Sequence, residues 1–260
     1  MHTLNFDTDL TMSYFQSNDI YHDLRRFMNI AIFSMDGIQF LFRWIHFLAG
    51  VTWIGLLYYF NFVQGEWFKE IEANVKNVAV SKLVPRALWW FRWAAMFTFV
   101  SGLTILAMRG HEGGLELFCT SWGICILIGA TLGTIMFLNV WLVIWPNQKI
   151  VIASTQSVLA GGQADPNAAA SAGKAGLASR HNVLFSIPML FFMGAASHLP
   201  INIAEHFNCL ILVLSVAAII AALEFNCLKG KLGPLTTVRG AIHCGLALTI
   251  ILYAIIEVIV

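Results

Sequence analysis

Eight histidines are the residues best suited to chemistry in this 260-residue chain: His2, His22, His46, His111, His181, His198, His206 and His243. A neutral imidazole is a common axial ligand of haem iron, and two ligands to one iron come from facing helices at similar depth. His46 and His198 both stand at the outer end of an apolar run, so they are the first candidates for the metal ligands of one haem b. Arg43, one turn outward of His46 on the same helix face, is suited to pair a haem propionate, and Trp44, Phe47 and Trp53 would add flat walls. His111 and His206 are reserve outer ligands. On the inner side His243 follows Arg239 by four residues and His181 follows Arg180, which leaves room for a second haem and a wire across the membrane. The plainer reading makes any one of these an interfacial side chain satisfied by a carbonyl or water; His2 and His22 read as solvated.

Other chemistries have thinner support. A zinc or copper site would favour two ligands on one helix face, and no His-x-x-x-His or Glu-x-x-His pair occurs. Proton transport would need carboxylates at mid-depth, whereas Glu224 and Glu257 lie near opposite membrane faces, so a pump or ion channel is disfavoured. The five cysteines form no Cys-x-x-Cys-His, which excludes covalent c-type haem. Trp89, Trp90 and Trp93 read first as interface anchors.

The elements that position these residues follow from composition. Hydrophobic residues make up 58% of the chain and charged ones 11%, with mean hydropathy +0.75. Soluble domains carry roughly 25% charge, so this chain cannot cover a water-facing surface, and its net charge of +1 gives no basic patch for nucleic acid. The expected fold class is all-α: a polytopic membrane helix bundle of about six transmembrane helices. The apolar runs are approximately Trp44–Phe62, Ala87–Met108, Cys125–Trp145, Val183–His198, Cys209–Asn226 and Ala241–Val260. The fourth is short and carries Pro188; it is expected to begin near Ala178 and kink at the proline. Assigning every Lys and Arg to the nearer side puts eleven on the first, third and fifth connections and four on the other side. By the positive-inside rule both termini face outward, to the periplasm of a bacterium, from a multi-pass protein of the inner (cytoplasmic) membrane.

Residues 1–37 are expected to form an N-terminal periplasmic or interfacial segment, with an interfacial helix over Leu24–Phe33 and no signal peptide. Residues 38–260 then make a single transmembrane helical domain. Gly161–Ser179, rich in Ala and Gly, reads as a flexible linker with a weak helix. Gly129, Gly133, Ala218 and Ala222 mark close helix contact.

Several segments resemble a known family. Arg43-Trp44-Ile45-His46, continuing through Trp53-Ile54-Gly55 to Tyr59-Phe60, is similar to the first helix of the membrane domain at the N-terminus of bacterial membrane-bound urate oxidase. Ser101-Gly102, Trp145-Pro146-Asn147-Gln148-Lys149, His181-Asn182, Ser186-Ile187-Pro188 and Ser197-His198 agree in order, over about Phe40 to Pro200. The resemblance implies a membrane redox protein. It puts Arg43, His46, Trp53, His181, Asn182 and His198 among motif positions without saying which are ligands. Family members carry a C-terminal c-type cytochrome domain that takes electrons from urate oxidation; here the cytochrome is expected as a separate periplasmic partner. Two readings follow. One is a haem b protein, a urate-oxidase-like oxidoreductase or an electron-transfer subunit of a respiratory complex. The other is a haem-free accessory or scaffold subunit of a larger respiratory or photosynthetic membrane complex.

Overall fold

The computed structural model describes residues 30–204 and 207–260, and every regular element among them is helical. The chain divides into an N-terminal unit ending at Trp44 and a larger unit from Ile45 to Val260. Of the expected interfacial helix, residues 24–29 lie outside the described residues, and Ala31–Phe33 is a single 3-10 turn.

Eight helices carry the fold: α1 (Met35–Tyr58), α2 (Ala73–Lys82), α3 (Val84–Gly113), α4 (Ser121–Leu138), α5 (Trp145–Leu159), α6 (Ala168–His198), α7 (Cys209–Lys229) and α8 (Val238–Ile259). Side chains accept the orphan N–H groups at three starts: Thr120 from Gly123, Asn208 from Ile211 and Thr237 from Gly240. Gly114, at φ +66°, turns the chain out of α3, a conformation open to glycine at little cost.

Two apolar runs extend further than hydropathy alone indicates. α1 passes through a π-helical segment, Tyr59–Gln64, into a last turn at Gly65–Trp67, and α4 passes through a second, Asn139–Ile144, into α5. The Trp145–Lys149 stretch therefore does not close a helix: Pro146, which lacks an N–H, is taken into the continuous helix directly after the π segment.

Among the described residues, five helical stretches are long and apolar enough to cross a membrane: Met35–Trp67, Val84–Gly113, Ser121–Leu159, Cys209–Lys229 and Val238–Ile259. These correspond to five of the six expected spans. The remaining one is α6, which at 31 residues reaches about 46 Å but falls short in hydropathy. Its position explains why. α6 packs against α4, α5, α7, α8 and both π segments, so Ser171, His181, Asn182 and Ser186 face protein, where polar groups find partners that lipid would deny them.

The linker expectation for Gly161–Ser179 is corrected at its C-terminal end. Helix α6 starts at Ala168, and only the stretch before it is irregular. Alanine is the best helix former, and burial of Ser171, Ala175 and Ala178 fixes this turn-rich composition as helix.

Candidate functional site

In the N-terminal half of α1 the half-buried His46 packs into a notch on α3. Its Nδ1 lies 3.2 Å from the Ser101 hydroxyl. That hydroxyl has a single proton, and it points at the Phe97 carbonyl 2.6 Å away, with the Thr98 carbonyl at 3.1 Å. Ser101 Oγ is therefore the acceptor, and the network assigns the imidazole proton to Nδ1. The Thr98 backbone also hydrogen-bonds the His46 ring. Gly102 forms the floor of the notch: a Cβ there would stand 3.0 Å from His46 Cε1 and 3.3 Å from Nδ1, so only glycine leaves the ring its place.

Seven residues along the same helix, Trp53 is 2% exposed and its indole N–H has no acceptor. A buried donor without a partner is rare and calls for an explanation such as an absent ligand or water. Of the three aromatic residues expected as flat walls, Trp53 alone is buried; Trp44 and Phe47 are exposed.

His198 ends α6 and is exposed. Two cross-links fix the register of α6 against the first helix. Tyr58 Oη lies 2.9 Å from Ser186 Oγ, and Asn61 Nδ2 donates to Ser179 Oγ at 2.8 Å. Residue numbers rise along one helix as they fall along the other, so the two are antiparallel. His46 stands twelve residues before Tyr58, and His198 twelve after Ser186. At 1.5 Å per residue both lie about 18 Å from the same cross-link. Among the described residues no hydrogen bond or ring contact joins the two imidazoles, and no group of three His, Cys, Asp or Glu gathers to hold a metal ion.

The inner side is different. His181 is 0% exposed and uses both ring nitrogens: Nδ1 donates to the Leu177 carbonyl at 3.0 Å, and Nε2 accepts from Asn226 Nδ2 at 3.0 Å. It clamps α6 to α7 and has no lone pair to spare. His243 is exposed on α8, as is Arg239, and nothing among the described residues joins His243 to His181. Arg180, which precedes His181, reaches Glu66 at 3.5 Å. His111 is exposed in the last turn of α3, Arg43 is exposed within the N-terminal unit, and His206 lies outside the described residues.

Beside His181 runs a buried amide seam that sequence reasoning missed. Asn139 Nδ2 donates to Asn182 Oδ1 and to Glu224 Oε2, both at 3.1 Å, and Asn182 Nδ2 donates to the Met136 carbonyl at 3.0 Å. Both π segments are stitched in the same way. The carbonyl just ahead of each, Leu57 or Met136, receives an amide side chain, from Asn61 at 2.8 Å or from Asn182. π turns of this kind often mark functional positions. The available signal was Asn139 itself, a lone amide in an apolar run, since a polar residue inside a span demands a partner.

Fold and seam together define a polytopic helical membrane protein with a polar interior. The chain belongs to the urate oxidase N-terminal family, whose model matches residues 114–255. That range covers α4 to α8 and leaves the His46 helix outside it. No curated protein and no solved structure matches the chain significantly. Family and bundle fit a membrane redox-type subunit.

Proposed function

We propose that this chain holds haem b near the outer membrane face through His46, and exchanges electrons there with a separate periplasmic c-type cytochrome in the bacterial inner membrane. The observation that carries this reading is the contact between His46 Nδ1 and the Ser101 hydroxyl. An imidazole ligating iron almost always donates its other N–H to a neighbouring oxygen, which orients the ring and raises its basicity. Ser101 is that oxygen. The residues present fit the group: Ser101 and the Thr98 backbone orient the imidazole, Gly102 leaves the ring its place, and the Trp53 indole offers a buried N–H.

When bound, haem supplies a one-electron couple. The chain's own part is to orient His46 through Ser101 and to exclude water with the apolar faces of α1 and α3. His198 is the second ligand in this reading, supported by its matching distance from the Tyr58–Ser186 cross-link. The doubly bonded His181 favours a single haem over two.

The test is the reduced-minus-oxidised absorbance spectrum of the protein purified in mild detergent. A haem b signal that His46→Ala abolishes and His198→Ala abolishes or reshapes is the expected result. A colourless preparation with full helical content would overturn it in favour of the haem-free scaffold. With haem present, reduction by added urate would mark an oxidase acting on urate, and reduction only by a cytochrome partner would mark an electron relay.

A further inference from the structure

We propose that the inner end of α3 is a binding site for an anionic phospholipid, with the headgroup held by Lys82 and Arg86 and an acyl chain laid along Trp89, Trp93 and Phe97. An open cleft here is lined by Pro85, Arg86, Trp89 and Trp90. Lys82 and Arg86, four residues apart, are both exposed and make no ion pair among the described residues. Two free cations beside a cleft are complementary to a phosphodiester, which a guanidinium binds with two parallel N–H donors.

The cleft opens onto an aromatic track. Trp89 and Trp90 meet edge to face at 5.1 Å, and Trp89–Trp93 and Trp93–Phe97 follow at 6.4 Å each. Residues 89, 93 and 97 recur at the helical interval of four, so they share one face. Trp93 is braced from behind by Trp141, edge to face at 5.8 Å. All three rings of the track are exposed, Phe97 at 57%. Over eight residues the track runs about 12 Å along the span. An acidic protein partner would use the cations but has nothing to lay along rings at that depth; a lipid tail does. The charge bias of the connections puts this end on the cytoplasmic side, where anionic lipids attract cations at the membrane surface.

The experiment is mass spectrometry of lipids retained by the intact protein after reconstitution into vesicles of equal phosphatidylglycerol and phosphatidylcholine. The wild type is expected to retain phosphatidylglycerol over phosphatidylcholine by at least about fivefold, the ratio expected of one cation at the headgroup. Lys82→Gln with Arg86→Gln should bring the ratio to about one, and Arg86→Lys, which keeps the charge but loses the paired donors, should fall between that and the wild type. Trp89→Ala with Trp93→Ala should lower total lipid retained while leaving the ratio above one, with helical content checked by circular dichroism. Equal retention by the wild type, or an unchanged ratio in the folded double-glutamine variant, would overturn the site. So would full displacement of the lipid by millimolar inorganic phosphate, because the ring track would then contribute nothing.

Discussion

The Nδ1 of His46 stands 3.2 Å from the Ser101 hydroxyl, which is itself anchored on the Phe97 carbonyl at 2.6 Å. One hydroxyl on α3 thereby orients an imidazole on α1. Ser101 is 3% exposed, so water does not substitute for it readily.

Ser101→Ala should therefore loosen the ring without unfolding the bundle. Haem titrated into the haem-free protein is expected to bind about 10–100-fold more weakly, the range found when the outer partner of a ligating histidine is removed. Gly102→Ala should act in the same direction, because its Cβ would enter the contact 3.0 Å from Cε1. Unchanged affinity in both variants would show that His46 is held by something other than α3.

His181 should behave in the opposite way. It is fully enclosed, and both nitrogens are committed to Leu177 and Asn226. His181→Ala leaves a cavity and an unpaired amide in the core, a loss of about 2–4 kcal/mol. Thermal unfolding in detergent should move down accordingly, while haem per folded protein stays at the wild-type value. A variant that melts normally but has lost its spectrum would make His181 a ligand after all.

What the sequence disclosed follows from how each feature is encoded. The spans were legible because lipid imposes a long apolar run on any helix that touches it, as Cys209–Lys229 shows, with Glu224, Asn226 and Lys229 gathered at its C-terminal end. Helix α6 was legible only in part. Its partners are other helices, so its first ten residues carry no lipid-facing signature, and the Gly/Ala composition around Lys174 read as a linker. Gly129 does mark a close approach, with Met193 Cγ 3.2 Å from where its Cβ would be, whereas Gly133 has only ordinary contact room. The amide seam stayed hidden because its donors and acceptors come from residues 43 and 85 positions apart. Such pairings leave no periodicity in a single chain. The role of Ser101 was hidden for the same reason, 55 positions from His46.

The side of the membrane can be read with the protein's own thiols. Cys119 is a free, exposed cysteine in the 3-10 turn Leu115–Cys119 that joins α3 to α4, on the side opposite the basic connections. Cys227 and Cys125 are buried and should stay unreactive. In spheroplasts a membrane-impermeant maleimide is expected to label Cys119 and the equally exposed Cys209 at the start of α7 without lysis, and replacing both by serine should remove most of that signal. Labelling of Cys119 only after lysis would reverse the assigned orientation and move His46 to the cytoplasmic side.

The proline in α6 leads to a last prediction. Pro188 has no N–H, so the carbonyl four residues earlier, that of Leu184, loses its helical donor. α8 passes that carbonyl at Gly245: a Cβ there would lie 3.0 Å from the Leu184 oxygen and 2.5 Å from Ile187 Cδ1. Glycine, having no Cβ, lets α8 approach α6 closely beside that carbonyl. Ile187 Cδ1 is the tip of a flexible side chain and can move; the Leu184 oxygen is backbone and cannot without shifting the helix. Gly245→Ala should thus force α8 away and destabilise the bundle by about 1–3 kcal/mol, despite the better helix propensity of alanine. Gly55→Ala, where no atom lies within 4 Å of the added methyl, is the control and should be neutral or slightly stabilising. Equal melting temperatures for the two variants would mean that α8 does not approach Pro188 as closely as glycine permits.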